Sequence, residues 1–402
     1  MDKLFYLFNP EHDMALANFT PYYRPPQEII CMREDLSCLP LWYAERGGVT
    51  GGIKEETADS FLSACMSSGI FPYGQVAFEW NGEVISPWGW DPALVHQLGL
   101  EGISMDKCPD AEALNRIRFL SGRQQCIGVL NQLGRLKGIC GKAVECLSVP
   151  EVKAWVHDTG ETMLKSPWSG SGRGLLRVSP STWNVNAEGW IARVIRTQGG
   201  IMAEPLYDKV CDFAMEFFAD GHGRIRFAGY SLFDTDAHGN YKQNFLLPDE
   251  VIERRLMTYV PLQTLNAVKE RLVAVLAALL KYDYAGYLGV DMMICREREM
   301  FLIHPCVEIN LRMNMGVVSR LFFDRYVSGS SHGQYIVEHY AAKGEAINLH
   351  RKRSESYPLQ VSQDGNILRG YLSLTPVQQN TRYQVYVLVE EANQTEYKEA
   401  GL

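Results

Sequence analysis

The sequence predicts a mixed α/β (α+β) fold, and three stretches carry that prediction. "KLFYLF", residues 3–8, is a continuous apolar run closed by Asn9-Pro10, the pattern of a buried strand. "PLQTLNAVKERLVAVLAALLKYD", 261–283, repeats its apolar residues at the helical period. "GYLGVDMMICREREMFLIHPCVEINLRMN", 286–314, reads as strand, charged turn, strand.

The remaining elements fall between these. Asp13 stands where a helix over "MALANF" takes its N-cap. Strand and helix signals continue in mixed order to about residue 105, punctuated by "FPYG", "SPWGWDP" and paired glycines. Helical signals dominate 109–138. "TMLKSP" and "GRGLLRVSP" read as short strands around a Gly/Ser turn, and "GGIMAEPLY" as a further strand. "DFAMEFFADGHGRIRFAGYSLFD" is a hairpin turning at Gly221-His222-Gly223, and "ILRGYLSLTP" and "RYQVYVLVEE" are late strands. These signals divide the chain into an N-terminal α/β unit at 1–108, a central region at 109–345 and a β-rich C-terminal extension at 346–402.

Composition limits the function classes. The 402 residues are 46% apolar and 21% charged, enough for two or three domains with a sizeable core. A net charge of −8 argues against a nucleic-acid binder, and the one dense basic run, "HRKRSE" at 349–354, reads as a solvated face. Ten scattered cysteines without a CxxC pair suit reduced thiols. The longest apolar run, "LVAVLAALL" at 272–280, is too short to cross a bilayer, and the N-terminal apolar stretch is too short for a signal sequence. The expectation is a cytoplasmic protein with no membrane or nucleic-acid partner.

Two stretches carry chemistry. In "VEINLRMN" the period of a strand puts Glu308, Asn310 and Arg312 on one face, with Val307, Ile309 and Leu311 on the core face. A carboxylate and an amide oxygen are hard ligands suited to magnesium, and Asp291 on the preceding strand adds a second carboxylate. In "LKSPWSGSGRGLLRV" Lys165 precedes glycines at 170, 172 and 174. A Walker A loop places its lysine after the glycines, a protein kinase has its Gly-rich loop before the lysine, and a dinucleotide fingerprint opens a helix. What remains is a strand bearing Lys165, a flexible hairpin over 166–174 and a return strand, able to fold over a triphosphate.

The order of lysine strand, Gly-rich flap, "AEPLY" strand, amphipathic helix, Asp strand and E-x-N-x-R strand resembles the ATP-grasp superfamily over about residues 110–320. The resemblance implies an ATP-grasp fold preceded by a pre-ATP-grasp-like domain, and an ATP-dependent carboxylate–amine ligase. It also implies that Lys165 contacts the ATP phosphates and that Ser169, Gly170, Ser171, Gly172 and Gly174 belong to the flap. Glu204 resembles the hinge acid near the adenine amino group. Asp212 resembles the acid that binds the ribose hydroxyls, with Glu216 as a rival on its strand face. Asp291, Glu308 and Asn310 resemble the ligands of Mg2+, with Mn2+ as the alternative ion. Arg312 matches the arginine of the E-x-N-x-R ligases, and Arg123 resembles the first phosphate-contacting basic residue. The place two residues before the metal-binding Asp, an arginine in some of these ligases, is Gly289 here.

The implied reaction forms an acylphosphate from a small-molecule carboxylate and passes the acyl group to an amine. A kinase on the same fold and an inactive ATP-binding regulator are the alternatives, and a homo-oligomer is left open. Glu11, His12 and Asp13 follow the first strand at once, where α/β sheets gather ligands, and are candidates for the substrate side. Glu11 and Asp13 suit an ammonium group, and His12 suits proton movement near neutral pH.

Overall fold

The computed structural model describes residues 3–170, 174–235 and 241–391. Ser171 and Gly172 of the expected flap lie outside the described residues.

Near the N-terminus, strand Leu4–Leu7 lies between Val49–Thr50 and Val84–Pro87 in a parallel four-stranded sheet completed by Gln75–Val76. Parallel order sends the chain out of the sheet at one edge, where Asn9 ties the strand ends together. Its amide donates to the Gly89 carbonyl and to Asp91, and accepts from the Gly89 N–H. The helix that follows, His12–Asn18, corrects the capping expectation. Glu11 occupies the N-cap position without a side-chain cap, and Asp13 sits inside the first turn. The Asp13 carboxylate instead takes two hydrogen bonds from Arg312, at 2.9 and 2.7 Å. A bidentate pair between two charged groups outweighs the single charge-assisted hydrogen bond of a cap.

The helical region 109–138 resolves into two helices, Ala111–Ser121 and Gln124–Leu133, broken at Gly122-Arg123. Beyond them a small antiparallel sheet runs Val144–Cys146, Ile201–Pro205, Thr162–Lys165, Leu175–Val178. Helices Val149–Thr159 and Val185–Gln198 supply its core through Val152, Val156, Ile191 and Val194.

The large sheet has nine strands among the described residues, all paired antiparallel. Its order is Met300–Asn310, Ala285–Glu297, Asp208–Asp220, Ile225–Thr235, Tyr241–Leu246, Ser331–His339, Tyr383–Glu391, Ile367–Ser373, Gln360–Val361. Helix Leu262–Leu280 buries Leu265, Val268, Leu272 and Leu276 against Phe213, Phe217, Leu288 and Val290 on one face of this sheet. The expected late strands therefore extend the same sheet that carries "VEINLRMN". They also share a core with the N-terminal unit, where Tyr6, Phe8 and Trp42 pack with Leu374, Val385 and Val387. The Trp42 indole donates to the Leu374 carbonyl at 2.6 Å. No helix among the described residues is long and apolar enough to cross a membrane.

Candidate active site

The site lies where the small sheet faces the end of the large one. On the large sheet Asp291 is the direct cross-strand partner of Glu308, and Gly289 that of Asn310. Ile309 and Leu311 point the other way and are buried, as strand alternation requires. The Asn310 amide donates to Asp291 at 3.1 Å, which leaves its own oxygen available as a ligand. Burial, then the neighbouring Glu308 carboxylate, pushes Asp291 up to about 7. Among the described residues no three His, Cys, Asp or Glu side chains converge as a metal cage. Two carboxylates and one amide suit an ion that completes its shell with phosphate and water.

Strand Met300–Asn310 ends one step before the expected face does. Arg312 lies in the turn beyond it, with its N–H bonded to the Asn310 carbonyl at 2.9 Å. From there the guanidinium reaches Asp13 of the N-terminal unit. Burial would raise the Asp13 carboxyl, but the Arg312 charge prevails and holds it below the usual range.

Arg123 comes to the same place from the break between the two helices, and it is buried. Its guanidinium donates to Glu308 at 2.7 Å, to the Ser166 carbonyl at 2.7 Å and to the Ser169 carbonyl at 2.9 Å. The near limb of the expected flap is thereby pinned to the candidate metal residues. Trp168 fastens it further, through its indole to the Arg118 carbonyl and its N–H to Gln198. Gly174 closes the turn at φ +72°, and a Cβ there would meet the Ser166 and Ser169 side chains. At Gly170 a Cβ would run into the Asp13 carboxylate.

Lys165 and Glu204 are diagonal neighbours on the small sheet, because Glu204 pairs opposite Met163. Their side chains form a buried ion pair at 2.7 Å. The Lys165 ammonium also reaches across to the Val307 carbonyl at 3.3 Å, linking the two sheets. Asp212 stands further along the large sheet and accepts from Thr235 at 2.9 Å, with Lys209 beside it.

A pocket lined by His12, Asp13, Ser169, Glu308, Asn310 and Arg312 opens between the N-terminal unit and the large sheet. His12 is 1% exposed, and its Nδ1 lies 3.8 Å from Asp91. Glu11 pairs with Arg33 at 2.6 Å. Burial raises the Glu11 carboxyl in spite of that arginine.

Sequence reasoning passed over three groups here. Asp91 caps helix Pro92–Leu100 and also faces His12. "WDP" signals the cap but not the second contact. Asn314 caps helix Met315–Tyr326 and donates to Glu216 at 3.1 Å. His304 is fully buried against Tyr207.

Glu216, the rival of Asp212, is wedged where a Cβ at Gly289 or Gly316 would strike its carboxylate. Burial pushes it up to about 8. The folded protein therefore keeps this proton to about pH 8, whereas an unfolded glutamate loses it near pH 4.3. Between those values the folded state binds more protons, so this group's contribution to stability falls as pH rises. E216Q removes that dependence. Its melting temperature relative to the parent should climb between pH 4.5 and 8, by about 2 °C or more, and level off above. A difference that stays constant across thermal scans in that range refutes the assignment.

No protein-family model matches the chain, and no curated protein matches it in sequence. Solved structures do match it in shape. Biotin carboxylase from Campylobacter jejuni, in a β,γ-ATP complex, aligns with a TM-score of 0.50 at 12% identity, over 99% of this chain and 90% of that one. Pyruvate carboxylase from Rhizobium etli aligns with a TM-score of 0.50 at 12% identity, over 97% of this chain and 36% of that one. N5-carboxyaminoimidazole synthetase from Staphylococcus aureus, complexed with ADP, aligns at 0.47 and 11% identity over 99% and 95%. At such identities likeness speaks to the fold alone, and the two alignments at 0.50 carry it. Together with the lysine strand, the amphipathic helix and the paired Asp291 and Glu308 strands in their expected order, they show that this chain has the ATP-grasp fold.

Proposed function

We propose that the chain is an ATP-dependent ligase that activates a carboxylate as an acylphosphate and joins it to an amine, forming ADP and phosphate. The observation that supports this reading is convergence on one strand end: Arg123 pairs with Glu308, Lys165 reaches the adjoining Val307 carbonyl and Arg312 follows Asn310, beside the Asp291 that pairs across from Glu308.

Asp291, Glu308 and Asn310 would hold Mg2+, which supplies charge neutralisation on the phosphates. Lys165, Arg123 and Arg312 offset the negative charge that spreads over the transferring phosphoryl group. Each cation is now paired with a carboxylate, so a triphosphate takes over the cations and frees Glu308 for the ion. In this reading Asp212 would hold the ribose hydroxyls and Glu204 would lie near the adenine. One oxygen of the acid attacks the γ-phosphorus and ADP leaves. The amine nitrogen then attacks the acyl carbon, phosphate leaves, and the amine gives up its proton. The residues 166–174 keep water from the acylphosphate. His12 and Asp13, which line the pocket, would face the acceptor, with Asp13 also the present counter-ion of Arg312, while Glu11 is taken up by Arg33.

The test is ADP release from Mg-ATP, screened against pools of carboxylic acids and amines. A ligase releases ADP and inorganic phosphate in equal amounts only when both an acid and an amine are present. ADP formed with a phosphorylated small molecule would mean a kinase, and binding without turnover against any pool would mean a regulator.

A further inference from the structure

Both ring nitrogens of His304 are buried without a hydrogen-bond partner among the described residues. The neighbouring charged groups are matched, Lys165 by Glu204, Arg123 by Glu308 and Arg312 by Asp13. A buried polar atom left unpaired carries its desolvation penalty, and apart from its own backbone this imidazole meets no partner among the described residues, so it is an expensive element to keep.

Its position gives the expense a purpose. His304 shares strand parity with Glu308 and Asn310. Met293 is the cross-strand partner of His304 on one side and of Asp212 on the other, while Asp291 pairs with Glu308 one step nearer Arg312. The row containing Asp291 and Glu308 is the phosphate end of the cleft, and the row containing His304, Met293 and Asp212 is the nucleoside end.

The ring is also held in place. Tyr207, just after the "AEP" strand, meets it edge-on with centroids 5.0 Å apart. The Tyr207 hydroxyl accepts from the Lys142 N–H at 2.8 Å. The loop at 138–141 is clamped to the same strand by Cys140 N–H to the Ile303 carbonyl and Ile303 N–H to the Gly138 carbonyl. A Cβ at Gly141 would stand 3.2 Å from His304 Nε2, so the absence of a side chain lets that loop close on the ring. Burial, then the nearby Lys165 charge, pushes His304 down to about 3, leaving a neutral imidazole with one donor and one acceptor. A neutral ring does nothing for phosphate charge. It suits the edge of a nucleobase.

We propose that His304 reads the base of the nucleotide, one ring nitrogen accepting a hydrogen bond from the 6-amino group of adenine. His304 is then a specificity-determining residue, and the inference rests on the ATP reading of the cleft.

The probes are Mg-ATP and the Mg complex of purine riboside 5′-triphosphate, which lacks only the 6-amino group. Isothermal titration of the full chain should show ATP binding about tenfold tighter, the equivalent of one net hydrogen bond. H304L and the ring-conserving H304F should bind both nucleotides with nearly equal affinity, at the level of the parent with the purine analogue. Without nucleotide both variants should melt at or above the parent temperature, because the unmet nitrogens are gone. A merely structural histidine would leave the ratio of the two affinities unchanged in whichever variant folds, and that result overturns the proposal, as does a parent that binds both nucleotides equally. A parent that binds neither nucleotide overturns the ATP reading and this inference with it.

Discussion

Glu308→Gln should remove Mg2+-dependent ATP turnover, by about a thousandfold or more, while the protein still folds. The glutamine keeps an oxygen that can accept from Arg123, but it withdraws one of the two carboxylates from the metal face. Arg123, buried at 6% exposure, then lacks its counter-charge, and the melting temperature should drop. R123M combined with E308Q removes both members of the pair. It should regain much of that stability without regaining turnover. This separation tells loss of chemistry from loss of fold. An E308Q enzyme with the parent's turnover and the parent's Mg2+ dependence would end the metal assignment.

Arg312→Met comes next in size. A donor aimed at developing negative charge contributes on the order of a hundred- to a thousandfold in kcat. The loss should appear in kcat, with ATP affinity changed by less than about tenfold, since Lys165 and Arg123 remain. R312K should recover only part of it, because an ammonium cannot reproduce the two-point contact that the guanidinium makes with Asp13. Asp13→Asn separates the two readings of that aspartate. As a counter-ion alone it is dispensable for turnover once the triphosphate is bound. If it holds the acceptor amine, the KM for the amine rises while ATP affinity stays. Equal kcat in R312M and the parent would remove Arg312 from the reaction.

Much of this site follows from local rules. Strand parity alone places Glu308 and Asn310 on one face and buries Ile309 and Leu311. The hairpin turning at Gly221-His222-Gly223 and the helix Leu262–Leu280 follow equally from period and turn residues. What local rules miss is partnership at long range. Asp13 has the residue type and place of a cap, yet an arginine 299 positions away claims its carboxylate. Arg123 reads as a phosphate contact, but nothing in its surroundings announces Glu308, 185 positions on. The register between Asp291 and Glu308 slips at the next pair, where Met293 meets His304. Pro305 interrupts the alternation there, which hides His304 from a period-two reading although its parity matches Glu308. Burial itself, the cause of the raised carboxyls at Asp291 and Glu216, is a property of the assembled sheets.

The indole of Trp42 and the carbonyl of Leu374 are 332 positions apart. During synthesis that interval matters. At about 5–20 residues per second, roughly 20–60 s pass between the appearance of one and of the other. Through that time Tyr6, Phe8 and Trp42 have no Val385, Val387 or Leu374 to cover them. The nascent N-terminal unit, with its short parallel strands, waits with an apolar flank uncovered until the strands that bring Leu374, Val385 and Val387 have left the ribosome. A nascent chain of this protein therefore has a long interval in which a chaperone can shield it or a neighbouring chain can trap it.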